Sequence, residues 1–131
     1  MEFKRFLLML TGDTDQSILS VAVQLCKSCG GKLFVLFVIE PNRVSRLASL
    51  THQKVNLVYD KTEENGWKLL YLAEDEAVEN GVWTSLHLEE GSLLDLTKRY
   101  VDTYQIEALL IKRKDESKKI FVSSSIPVIG L

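Results

Sequence analysis

The stretch IEALLIKRKDESKKIFVSSSIPVIGL, residues 106–131, decides how the chain is read. Its apolar ends, Ile106 to Ile111 and Ile126 to Leu131, read as short strands, the first of them buried on both faces. Between them Lys112, Arg113, Lys114, Asp115, Glu116, Ser117, Lys118 and Lys119 form a short basic connection. Ligands of open parallel sheets bind outside the carboxyl ends of the strands, where the strand order reverses. A small-molecule site is therefore expected in the turn that begins at Lys112.

The chain as a whole sets the limits. Its 131 residues are expected to form a single domain, 1–131, with one sizeable core. A net charge of −2 speaks against nucleic acid as a partner, which calls for a basic face. The longest uninterrupted apolar run, Leu33 to Ile39, has seven residues, too few to insert into a membrane. Phe6 to Leu10 is too brief for a signal-peptide core, and Glu2 is wrong for a basic leader. A cytoplasmic protein is expected.

Upstream of the basic turn, apolar strands alternate with helical periodicity. Phe3 to Leu10 reads as a buried strand, followed by the polar turn Thr11 to Asp15. Asp13 and Gln16 have the spacing of a helix N-cap and its capping-box partner, and Gly30-Gly31 stops the helix. Leu33 to Ile39 is a second buried strand, ended by Pro41. Asn42 to Tyr59 holds scattered apolar residues, consistent with a short helix or a mobile connection. From Asp60 a long helix is expected, with Trp67, Leu70, Tyr71, Ala77 and Val78 on its inner side. Val82 to Glu89 alternates like a half-exposed edge strand, and Ser92 with Asp95 caps a further helix that leads into Ile106 to Ile111. The order predicts an α/β fold: an open five-stranded, mostly parallel sheet with helices on both faces.

Glu90-Gly91-Ser92, the helix after it and the run Ile106 to Ile111 resemble the universal stress protein family. So do the opening strand with its Gly/Asp turn and Ser17, Gly31-Lys32-Leu33 leading to Glu40-Pro41, and the closing Ser125-Ile126-Pro127-Val128-Ile129. The resemblance covers essentially the whole chain. It implies a stress-associated regulator, and a homodimer formed through the last strand by Ile126, Pro127, Val128, Ile129 and Leu131. Nucleotide-binding members of the family carry a glycine-rich phosphate loop right after the fourth strand. Here Lys112 stands at the first glycine, and no glycine occurs between Gly91 and Gly130. The family's nucleotide-binding aspartate falls on Gly12, with Asp13 one place later. Both halves of the nucleotide site are thus altered, and no ATP or other cofactor is expected.

Other chemistries fit less well. Asp13 and Asp15 only loosely match the acidic cluster of a receiver domain, and the third strand ends in Glu89-Glu90 rather than a phosphorylatable aspartate. The serines at 123–125 have no histidine placed to activate them, so no catalytic residues are assigned and no enzyme is expected. His52 and His87 read as surface residues. Cys26-Lys27-Ser28-Cys29 lies at a helix end, where the dipole does not favour a thiolate, and lacks further metal ligands. Two functional expectations result. One is a regulator acting through an unidentified protein partner. The other is a sensor of an anionic ligand, held by Thr11, Gly12, Asp13, Lys112 and Arg113, in which the charge of the basic turn replaces the lost glycines.

Overall fold

In the computed structural model, residues 3–12, 14–113, 120 and 124–131 are described. Strand β1 (Arg5–Leu10) leads to helix α1 (Ser17–Cys29), β2 (Lys32–Ile39), α2 (Pro41–Leu50) and α3 (Val55–Glu79). Then come β3 (Thr84–Glu90), α4 (Leu93–Tyr104), β4 (Ala108–Ile111) and β5 (Val128–Gly130). The sheet order is β3-β2-β1-β4-β5, and all four pairings are parallel. Leu8 lies opposite Val35 on one side and Leu110 on the other, which fixes the register of the centre.

Burial on both faces explains the unbroken apolar runs. Phe6, Leu8, Leu10, Val35, Phe37 and Leu110 face the layer of α1, α2 and α3. Leu7, Met9, Phe34, Leu36 and Leu109 face α4, whose Leu96 and Tyr100 cover them. All seven residues from Leu33 to Ile39 are buried. At about 1.5–3 kcal/mol for each large apolar side chain removed from water, this strand alone holds a major share of the core.

Several boundaries differ from the sequence reading. Helix α1 is capped by Gln16 without a side-chain hydrogen bond, so its start lies beyond the expected Asp13 cap; Asp13 itself lies outside the described residues. Gly30, at φ 65°, ends that helix as expected. The unreadable segment 42–59 is α2 followed by the first turn of α3, which starts at Val55 rather than Asp60. The inner face of α3 is also different. Val58, Gly66, Leu70, Ala73 and Ala77 are buried, whereas Tyr71 and Val78 are 55% and 70% exposed and Trp67 stacks on Tyr71 at the surface. Small residues let the helix sit close to the sheet, so the bulky aromatics are displaced outward. A Cβ on Gly66 would come within 2.6 Å of the Phe37 ring and 3.0 Å of Leu88.

His87 is not a surface residue. It is half-buried, hydrogen-bonded to the Ser85 hydroxyl at 2.8 Å, and packed against the rings of Tyr100 and Tyr104. Burial lowers its pKa, opposed by the Glu89 carboxylate, which is itself paired with Arg99. Alternation read correctly put His87 on one face of an edge strand, but α4 covers that face.

Two predictions follow from this packing. Alanine favours a helix over glycine by about 1 kcal/mol, and overpacking a core costs about 1–3 kcal/mol. Gly66→Ala should therefore lose about 1 kcal/mol of stability to urea, while Asn65→Ala at the neighbouring exposed position gains about half that. A Gly66→Ala protein more stable than wild type would contradict the close approach. For His87, the unfolded chain takes up the proton first as pH falls. Its contribution is thus complete above the unfolded pKa of about 6.5 and declines below it. Between about pH 8 and about pH 5 the wild type should lose more stability than His87→Gln; equal losses would show that the buried imidazole has no such effect.

Candidate functional site

The strand order reverses between β1 and β4, and the two turns leaving their carboxyl ends meet there. Four of the five residues assigned to an anion pocket, Thr11, Gly12, Lys112 and Arg113, lie on this edge; the fifth, Asp13, is outside the described residues. The turn after β1 is closed on itself. The Thr11 N–H donates to the Thr14 hydroxyl at 2.9 Å, and the Thr14 N–H donates to the Thr11 carbonyl at 3.0 Å. Asp15 then accepts from the Ser17 N–H at 2.9 Å, and from the Ser17 hydroxyl, at the start of α1.

Lys112 reaches across from β4 to this turn. Its ammonium donates to Asp15 Oδ2 at 2.9 Å. The Ser17 hydroxyl and then Lys112 hold the Asp15 carboxyl well below the usual carboxylate range. The Arg113 N–H donates to the Leu131 carbonyl at 3.2 Å. Lys112, expected to supply charge in place of the lost glycines, has its ammonium paired with Asp15. The sequence separation of 97 residues hid this partner. The remaining basic residues of the turn, Lys114, Lys118 and Lys119, lie outside the described residues.

The larger concavity lies beside the switch point. Helix α2 leans on α3 at the carboxyl end of β2, leaving a cleft of about 510 Å³ that begins at Gly12. Val38, Ile39, Val44, Leu47, Leu50 and Val58 supply its apolar surface. Glu40, Arg43, Arg46, Lys61, Thr62 and Asn65 supply polar groups. Arg43 and Arg46 also border a smaller hollow of about 390 Å³ against Ser92, Leu93 and Leu94 at the start of α4. None of the cleft residues except Gly12 was assigned to a binding site from sequence. The spacing of Val44, Leu47 and Ala48 against Arg43 and Arg46 is the signal that marks an amphipathic helix there.

The other candidates are structural. Cys26 is buried in the core, and burial pushes its thiol up to about 11, which disfavours the reactive thiolate. Among the described residues no three His, Cys, Asp or Glu side chains are close enough to hold a metal ion. No helix among them is long and apolar enough to cross a membrane.

At the far edge, β5 is shorter than Ile126 to Leu131, running only from Val128 to Gly130. Its side chains are engaged within the domain: Ile126 and Val128 pack toward α4, and Ile129 and Leu131 toward the opposite layer. Just outside its ladder with β4, the Pro127 carbonyl accepts from the Leu109 N–H, the Leu131 N–H donates to the Ile111 carbonyl and the Leu131 carbonyl accepts from the Arg113 N–H. By alternation Val128 and Gly130 turn their N–H and C=O groups outward. Among the described residues no strand pairs with that side. Helix α2 packs against α3.

No family model matches the sequence, and no curated protein matches it. Solved structures do. A universal stress protein family member from Burkholderia pseudomallei superposes with a TM-score of 0.74 at 13% identity, covering 95% of this chain and 94% of that one. The universal stress protein from Archaeoglobus fulgidus, solved in complex with dAMP, gives 0.70 at 15% identity, covering 99% and 98%. A universal stress protein from Lactobacillus plantarum gives 0.69 at 9% identity, covering 100% and 99%. At these identities the likeness is one of fold, and it extends over essentially the whole chain: this protein has the fold of the universal stress proteins.

Proposed function

We propose that the protein is a stress-response regulator of the universal stress protein kind, working in the cytoplasm through protein contacts and without catalysis or ATP binding of its own. The observation that carries this reading is the Lys112–Asp15 ion pair across the switch point. A phosphate nest needs several backbone N–H groups converging on one anion, which glycines permit. The chain has no glycine between Gly91 and Gly130, and the Arg113 N–H is engaged by Leu131. The Lys112 ammonium at the switch point is paired with Asp15, so a polyphosphate would have to displace that carboxylate to gain its contact.

The contact surface in this proposal begins with a second copy of the chain. Two β5 edges pairing antiparallel about a twofold axis would satisfy the outward groups of Val128 and Gly130 in both copies with one self-complementary patch. Since the side chains of Ile126, Val128, Ile129 and Leu131 already serve the domain's own layers, the pairing rests mainly on the backbone edge, with Pro127 beside it. An unidentified protein partner would then meet a dimer.

A second reading, a sensor of an anionic ligand at Thr11, Gly12, Asp13, Lys112 and Arg113, draws support from the convergence of the described members of that set on one edge. Titration calorimetry with Mg-ATP separates the two. No heat beyond dilution is expected, and a dissociation constant in the low micromolar range would reject the first reading and select the second.

Dimerisation is tested at Val128. Val128→Pro removes an N–H that strand alternation turns outward, away from β4. Sedimentation equilibrium should find the wild type dimeric at tens of micromolar, on the order of concentrations where weak dimers form, and Val128→Pro monomeric. A monomeric wild type under those conditions rejects the edge pairing.

A further inference from the structure

The cleft between α2 and α3 combines two features that solvent alone does not explain. Leu47 and Leu50, on the open side of α2, are 47% and 73% exposed, yet both line the cleft with the buried Val44 and Val58. An amphipathic helix that merely covered a core would turn such residues inward. The second feature is charge. The chain carries a net −2, but the groups around this cleft are Arg43, Arg46 and Lys61 against one carboxylate, Glu40. Arg43 interacts within the protein. Arg46 and Lys61 make no hydrogen bond or ion pair with a described residue. They come from different helices and stand over a shared apolar surface.

We infer that this cleft is a binding site for a small amphipathic anion, a carboxylate carrying an apolar body. Its volume, about 510 Å³, lies within the roughly 300–1,000 Å³ typical of small-molecule pockets. The apolar body covers Leu47 and Leu50 and contacts Val44 and Val58, removing exposed hydrocarbon from water. The carboxylate accepts charge-assisted hydrogen bonds from Arg46 and Lys61. Thr62 is not the specifying donor, because its hydroxyl already donates to the Val58 carbonyl at 2.8 Å. Selectivity therefore rests on the two cations. This site does not depend on the Lys112–Asp15 pair, and it stands whether or not ATP binds at the switch point.

The test uses octanoate, octylamine and octanol as probes, followed through the methyl resonances of the full-length protein. Octanoate is expected to bind saturably, with shifts concentrated at Val44, Leu47, Leu50 and Val58. Octylamine should bind about tenfold more weakly or worse, with octanol between them. Arg46→Glu combined with Lys61→Glu should reverse the order of octanoate and octylamine. Leu50→Glu should abolish octanoate binding. All three substituted positions are exposed, so the fold is retained. Equal binding of octanoate and octylamine, shifts centred on Thr11 and Lys112, or no saturable binding would each overturn the inference.

Discussion

Hydrogen bonding of β1 along both of its edges is the constraint from which the rest of the architecture follows. With β2 on one side and β4 on the other, this strand has no solvated edge, and its residues Phe6 to Leu10 are buried on both faces. Two helical layers are then required, and parallel crossovers bring every strand's carboxyl end to the same rim. The chain leaves β1 toward β2 and later returns on the other side to form β4. Topology alone thus decides where the two turns meet. What stands there is decided by a handful of residues, chiefly Thr11, Gly12, Asp15 and Lys112.

The same topology can serve different chemistries because that rim is separable from the core. The Lys112 and Asp15 side chains are 30% and 57% exposed, so their pairing adds little to stability; exposed ion pairs are screened and lose side-chain freedom. Its consequence is local. It offsets a positive charge where the turns after β1 and β4 meet, whereas Arg46 on α2 and Lys61 on α3 make no ion pair with a described residue.

Where environment was uniform, the sequence was legible. Leu33 to Ile39 has seven apolar residues because both faces are buried, and no other strand reading fits. The helix starting after Ser92 was found from its cap, and Ser92 Oγ does accept from the Asp95 N–H. Legibility failed where size mattered more than polarity. On α3, Trp67 and Tyr71 look like core residues, yet the side against the sheet is made by Gly66, Ala73 and Ala77, whose smallness is what the contact needs. Segment 42–59 was opaque because some apolar residues of α2 line a cleft instead of a core. The position of the candidate anion site was legible, but not the partner of Lys112, since no local pattern ties residue 112 to residue 15.

Helix α2 is fastened to the domain by only two buried residues, Val44 and Ala48, and it rests against α3 beyond the end of β2. Elements held by so few apolar contacts open locally at small cost and tolerate change, while the strands beneath them keep their register. The exposed part of the cleft wall that α2 supplies can therefore be reshaped by substitution or lengthening without disturbing the strand residues beneath it. In evolutionary terms, the exposed positions of α2, such as Arg46, Leu47 and Leu50, are free to drift, while Val44, Val58 and the strand residues that also line the cleft stay under the constraint of folding.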